Sequence, residues 1–164
     1  MSTTAYKSTT QTFDINKIFD LCKIKSLYAA SNVANDSGVT QEKNLAITDN
    51  ERDFFDITLK NAASNVYDAV SQDTKIVDNP FDYNVNGAIV FRLMVHGQWD
   101  HNHAFGLNTA IEVALCDFVC REWFKLRNMN LYQVFEQNYT QAISSVKNLL
   151  NRRVTPAKKV YRYV

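Results

Sequence analysis

Residues 88–126 read AIVFRLMVHGQWDHNHAFGLNTAIEVALCDFVCREWFKL and contain the two patterns that decide the fold. Residues 88–97 alternate between apolar and other side chains, and this period of two predicts a β-strand with one buried face. That face consists of Ile89, Phe91, Leu93 and Val95. Over about 105–126 the apolar residues recur at helical spacing instead and cover a broad face, which predicts a central helix packed on more than one side.

Three further helices are predicted around this unit. They span about 14–30, 48–72 and 131–151. Asp14 is available to cap the first of them, and Thr48 or Asp49 is available to cap the second. Because residues 128–130 form a very short connection, the last two helices are expected to be an antiparallel pair. The predicted fold is therefore mainly α, a bundle of about four helices with a small β-hairpin or strand element.

The chain is expected to form one domain with an arm at each end. Residues 1–13 are mostly Ser, Thr and Gln without an apolar period, and we expect a flexible N-terminal arm. Residues 14–152 form the predicted helical domain, with its β element near 75–96, where residues 75–77 pair with the strand. Residues 31–48 are expected to be a long polar loop. A basic C-terminal arm covers 153–164.

The composition excludes several classes of protein. The chain has 164 residues, of which 46% are hydrophobic, with four Gly and two Pro, and these values are typical of one globular domain. The N-terminal residues lack the basic and apolar regions of a signal peptide, and no apolar stretch reaches the roughly 18 residues of a membrane span, so we expect no membrane partner. Three cysteines without framework spacing favour reduced thiols.

The net charge of +1 is the sum of two unequal parts. Residues 1–120 hold nine Lys and Arg against fifteen Asp and Glu, a balance of −6, whereas residues 121–164 hold nine against two, a balance of +7. Such asymmetry predicts a basic end that meets an acidic partner, including an acidic surface on an identical copy.

A polar cluster precedes and enters the central helix. Its members are His96, Trp99, Asp100, His101 and His103, followed by Glu112 and Asp117. Imidazoles and carboxylates together bind zinc or other metals, so a metal-dependent hydrolase is one functional hypothesis. The spacing of the histidines matches no established metal motif, however. The other interpretation is a turn that Asp100 or Asn102 fixes and that Trp99 anchors to the core.

No other pattern points to catalysis. Cys116 and Cys120 lie four residues apart on one helix face and could supply two thiolates, but buried small hydrophobic residues are the favoured interpretation. No GxSxG, Walker A or GxGxxG string occurs, and no carboxylate pair is marked out by its spacing. We therefore predict no enzyme activity, no catalytic residue, no cofactor and no metal.

The C-terminal sequence NRRVTPAKKVYRYV, residues 151–164, has five basic residues and no acidic one. Pro156 prevents a helix from continuing, and the following Val and Tyr residues favour an extended segment able to add to a partner's sheet edge. The predicted protein-interface residues are Arg152, Arg153, Lys158, Lys159, Tyr161, Arg162 and Tyr163. Contact with an acidic protein surface is favoured, and nucleic-acid binding through phosphates and stacked bases is the alternative.

The order of these elements resembles the ring subunits of head-to-tail connectors in tailed bacteriophages, particularly those of crAss-like podoviruses. The strand leads through a Trp-containing turn to a helix that ends in an aromatic pair, here Trp123-Phe124. The next helix, which ends in SSVKNLLNRR, closes on the pair Arg152-Arg153 before a short basic tail. The resemblance covers about residues 50–164, and the His-rich turn is not part of the pattern.

This resemblance implies a structural virion protein that is assembled in the host cytoplasm. It implies an adaptor ring of identical copies, expected to be a dodecamer, between the portal protein and other tail or ring proteins. Double-stranded DNA would pass through the ring without sequence specificity, also during genome ejection. A ring requires heterologous head-to-tail interfaces, and an acidic body with a basic tail provides two complementary surfaces for them.

Overall fold

A computed structural model of the chain describes residues 6–33, 45–71 and 80–154. In chain order the elements are β1 (Tyr6–Asp14), α1 (Ile15–Ser31), α2 (Arg52–Ser71), β2 (Phe81–Val85), β3 (Ala88–His96), α3 (Ala104–Phe124) and α4 (Met129–Leu150). Single 3-10 turns, Asp49–Glu51 and His101–His103, lead into α2 and α3. The predicted mainly α fold of four helices with a small β element is confirmed.

Local hydrogen bonds explain where the helices begin. The Asp14 carboxylate accepts a hydrogen bond from the Lys17 N–H at 2.9 Å, which caps α1. Before α2, Thr48 and Glu51 form a capping box, in which the Thr48 N–H donates to the Glu51 carboxylate at 2.7 Å. The predicted helix starts near residues 14 and 48 are therefore confirmed.

Strand β1 corrects the prediction of an N-terminal arm. All nine of its residues pair antiparallel with β3, so the flexible arm over 1–13 is wrong for residues 6–13. An arm was predicted because these residues show no apolar period. The strand is instead held by main-chain hydrogen bonds to β3, which do not depend on apolar side chains. Within it only Gln11 and Phe13 are buried, which is too weak a pattern to be recognised in the sequence.

Strand β3 lies at the centre of the sheet, between β1 and β2. Its hairpin partner among the described residues is β2. The predicted partner near 75–77 lies outside the described residues. The turn between β2 and β3 explains this pairing. Asn86 and Gly87 adopt left-handed φ angles of 53° and 78°, which lets the chain reverse directly from one strand into the next.

Helix α3 is the central element of the bundle and packs on α1, α2 and α4. Its predicted apolar face is buried throughout, at Leu107, Ile111, Leu115, Phe118, Val119 and Trp123. Residues 101–124 are long and apolar enough to span a membrane by length and composition, and more than half of this segment is buried among the other helices. This position in the core accounts for its apolar composition.

The end of the predicted 31–48 loop belongs to the core. Residues 34–44 lie outside the described residues, whereas Leu45, Ala46 and Ile47 are buried. The indole N–H of Trp123 donates to the Leu45 carbonyl oxygen at 2.6 Å, and the Ile47 N–H donates to the Ser26 hydroxyl at 2.8 Å. These bonds fix the approach of the chain to α2.

Candidate functional site

The turn after β3 and the residues that follow α4 lie together at one end of the molecule. The Trp99 indole N–H donates to the Leu149 carbonyl oxygen at 2.9 Å, and Trp99 also forms a β-bridge with Arg153. The Val154 N–H donates to the Gln98 carbonyl oxygen at 3.0 Å. The His-containing turn and the paired arginines, which are distant in the sequence, are therefore neighbours.

These contacts correct the boundary of the C-terminal arm. An arm beginning at residue 153 is wrong at its start, because main-chain hydrogen bonds hold residues 152–154 against the turn. Arg152 and Arg153 are both exposed there. The other predicted interface residues, Lys158, Lys159, Tyr161, Arg162 and Tyr163, lie outside the described residues.

A polar pocket lies beside this junction. Its lining includes Tyr6, His96, Lys147, Asn151 and Arg153, together with apolar atoms from β3 and the end of α4. Among the described residues, no acidic side chain lines it. Within the described ranges, neither Lys147 nor Arg153 forms an ion pair. Two cations and several hydrogen-bonding groups around one space fit an anion such as a carboxylate or a phosphate.

The three histidines have separate surroundings. The His96 ring accepts the Gln98 N–H on Nδ1 at 3.0 Å, and the His101 ring packs edge-on against Trp99 with 5.3 Å between ring centroids. His103 Nε2 lies 3.6 Å from an Asp100 carboxylate oxygen. In the part of the chain that the structure describes, these rings do not converge on a shared metal position.

The turn itself is built as the alternative interpretation predicted. Asp100 accepts the Asn102 N–H at 3.0 Å, and the buried Trp99 ring anchors the turn to the core. The other two carboxylates of the polar cluster are used elsewhere, since Glu112 pairs with Lys17 and Asp117 pairs with Lys25.

An acidic surface lies at the start of α2. Residues 49–56, DNERDFFD, carry four acidic residues and one Arg. The Asp49 side chain is 83% exposed although it pairs with Lys23 at 2.8 Å, and Asp53 is exposed as well. The charge balance predicted negative charge for the body as a whole, and the run DNERDFFD was the signal that could have localised it.

An apolar groove runs between α1 and α4. It is lined mainly by Ile24, Tyr28, Ala29, Leu131 and Val134, and three of these, Ile24, Tyr28 and Val134, are exposed. Exposed apolar surface of this kind is typical of sites of protein contact. Sequence reasoning missed the exposed Ile24, Tyr28 and Val134 because they lie beside the core-facing positions of their helices, where an apolar residue adds nothing to the helical period.

The cysteines occupy a different place from all these surfaces. Cys116 and Cys120 are buried as predicted, and Cys22 of α1 joins them in the core.

Comparison of the chain with protein-family models, with curated proteins and with solved structures finds no match.

Proposed function

We propose that this protein is a non-enzymatic structural subunit of a head-to-tail connector ring in a tailed bacteriophage, located in the virion between the portal and the tail. The observation that carries the proposal is the fixed junction between the basic C-terminal segment and the body. The Trp99–Arg153 bridge and the bond from Val154 to Gln98 fix the chain directly before residues 155–164, which lie outside the described residues. A segment held at its root is suited to reaching a neighbouring subunit.

The acidic start of α2 is the proposed receiving surface. In a ring, the basic residues after Val154 of one copy contact residues 49–56 of the next copy, which makes the interface heterologous. Opposite charges on two surfaces favour one register and one direction of assembly. The exposed carboxylate of Asp53 is available for this contact, whereas that of Asp49 would be shared with Lys23.

The apolar groove supplies the second part of the proposed interface. Charged side chains at the edge of a protein interface give little net affinity by themselves, whereas buried apolar side chains supply most of it. Tyr28 and Ile24 on α1 and Val134 on α4 are the exposed apolar side chains that a neighbouring subunit would cover.

Truncation of the chain after Val154 tests the proposal. The variant lacking residues 155–164 keeps every hydrogen bond at the junction, so its helical circular dichroism should match that of the full chain. We expect the full chain mixed with its portal to add ring density in electron micrographs and the truncated chain to add none. Ring formation by the truncated chain would contradict the assigned role of the tail.

A charge reversal tests the receiving surface with a control on the same helix. Asp53→Lys should prevent ring formation, whereas Asp68→Lys, at an exposed position near the other end of α2, should not. Equal assembly of both variants would contradict the assignment of residues 49–56. Absence of ring density with the unmodified chain would contradict the connector function itself.

Binding of nucleic acid is the second candidate function, and the pocket with Lys147 and Arg153 favours it. Phosphate contacts release counterions, so DNA affinity of the isolated chain would fall steeply with salt, with a slope reduced by about one for each lost contact. Lys147→Gln should reduce that slope if the pocket holds a phosphate. A slope near zero for the unmodified chain would exclude this candidate.

A further inference from the structure

The three cysteines of the chain meet at one point in the core although they are distant in sequence. Cys22 lies on α1, and Cys116 and Cys120 lie one turn apart on α3. Their sulfur atoms all lie within 4.8 Å of one another, and those of Cys22 and Cys116 are 3.2 Å apart. We propose that these three sulfur atoms form a binding site for one thiophilic metal ion, and that the ion is copper(I).

The spacing of the sulfur atoms fits an ion held by three thiolates. With metal–sulfur distances of about 2.3 Å, three sulfurs in a trigonal arrangement lie about 4 Å from one another. The distance of 3.2 Å between the sulfur atoms of Cys22 and Cys116 is shorter than that value, and no pair of the three sulfur atoms is more than 4.8 Å apart. Small rotations of the three side chains therefore suffice to surround an ion.

The ligand set favours copper(I) over zinc. Soft thiolate ligands select copper(I), zinc and iron–sulfur clusters. Structural zinc takes four protein ligands, and catalytic zinc completes its shell with water. No His, Asp or Glu of the described residues joins the three cysteines, and all three side chains are 0% exposed, which keeps water from a fourth position. Three-coordinate binding by sulfur alone suits copper(I).

Binding of a cation would release the thiol protons of the cluster. Metal ligation requires the thiolate form, so a bound copper(I) ion replaces the protons of the three thiols.

Burial determines how the ion would enter. The three cysteines lie in the interface between α1 and α3. None of them is exposed to solvent, so an ion has no direct access to their sulfur atoms in the folded protein. We therefore expect binding during folding, before α1 packs on α3, as metal binding and folding are coupled in other buried sites. The two helices that supply the cysteines, α1 and α3, lie entirely within the described residues.

Refolding with copper tests the proposal on the whole chain. The reduced, denatured protein is refolded without oxygen in the presence of copper(I) supplied as its bicinchoninate complex, with equimolar zinc as competitor, and is then desalted. We expect one copper per chain and no zinc, with three sulfur neighbours at about 2.3 Å in X-ray absorption. Reagents that alkylate free thiols should modify the unfolded chain but not the copper-loaded one.

Two variants separate a metal site from ordinary core packing. Cys120→Ala removes a proposed ligand and should lower copper affinity more than about tenfold, since loss of even a supporting group has effects of that size. Val119→Ala removes a neighbouring buried apolar side chain of α3 without touching sulfur and should still bind one copper. Circular dichroism checks that both variants fold.

Three results would overturn the proposal. The first is a refolded unmodified chain that retains no metal, which identifies the cysteines as core residues only. The second is copper that Cys120→Ala retains with unchanged affinity, which places it elsewhere. The third is zinc bound in preference to copper, which overturns the choice of ion. None of these results depends on the proposed connector function.

Discussion

At the scale of single residues, Asp117 carries the most deeply buried carboxylate among the described residues and is 2% exposed. Lys25 Nζ lies 2.5 Å from one of its oxygens. Burial raises the pKa of Asp117 against the opposing hydrogen bond from Lys25. Burial also acts against the Lys25 ammonium, but the charge of Cys116 and the bond to Asp117 outweigh it and raise the pKa of Lys25. The pair is therefore held together by mutual charge.

Lys25→Met should destabilise the fold because it leaves the Asp117 carboxylate buried without its partner. We expect a loss of about 1–3 kcal/mol in the free energy of unfolding at pH 7, measured by denaturant titration. The matched control is Lys17→Met, whose partner Glu112 is also buried but whose ammonium side chain is 59% exposed. This control should cost less, because an exposed ammonium is screened by water.

The loss from Lys25→Met should depend on pH. Without Lys25, the pKa of Asp117 rises further, so the folded state binds a proton at pH values where the unfolded chain is ionised. The free energy of unfolding of the variant then falls as pH rises from about 4, the usual carboxyl value, through the raised pKa. A loss of equal size at pH 4 and pH 7 would show that Asp117 is not the cause.

At the scale of elements, β1 changes the description of the N-terminus from an arm to a structural strand. Its side chains are mostly polar, but Phe13 is fully buried and packs edge-on against Phe91 of β3 with 5.3 Å between ring centroids. Asn108 of α3 donates its side-chain N–H to the Thr12 carbonyl oxygen at 3.1 Å. The strand is thus attached both to the sheet and to the central helix.

Phe13→Ala should reveal this attachment. Loss of a fully buried Phe costs about 3–5 kcal/mol, which is a large part of the stability of a single domain. Thr12→Ala, at an exposed neighbouring position of the same strand, should change stability by no more than about 0.5 kcal/mol. Thermal or denaturant unfolding measures both. Equal, small effects would restore the interpretation of residues 1–13 as an arm.

At the scale of the whole molecule, charge is distributed unevenly between an acidic body and a basic end. Acidic residues are concentrated at 49–56. In the described part of the basic end, Lys147, Arg152 and Arg153 lie around the turn after β3. Because both surfaces are exposed, the attraction between them in the proposed ring would be sensitive to dissolved ions. The screening length is about 8 Å at physiological ionic strength and shortens as salt increases.

Salt should therefore dissociate the proposed assembly. Between about 0.05 M and about 0.5 M NaCl, we expect the mass measured by sedimentation to fall from that of a ring towards that of the free chain. Circular dichroism over the same range should remain constant, since the core is apolar. A mass independent of salt would mean that the apolar groove and not the charge holds the copies together.

The candidate site was predictable in part. Arg152 and Arg153 were identified from the basic run, and the anchoring role of Trp99 from its place in a turn. That these two features touch could not be predicted, because about fifty residues separate Trp99 from its partner Leu149. The same limit applied to Cys22, whose distance from Cys116 in sequence concealed a contact of 3.2 Å.

The sequence by itself determined which segments form the four helices, which face of β3 is buried, where the capped helices begin and that α3 is central. These features depend on periods and hydrogen bonds within a few residues, so they can be identified in the letters alone. Only the tertiary structure decided that β1 completes the sheet, that the basic tail is rooted on the His-containing turn and that three thiols converge. Those contacts join distant segments, and the packing of the whole core selects them from many pairings that local sequence allows equally.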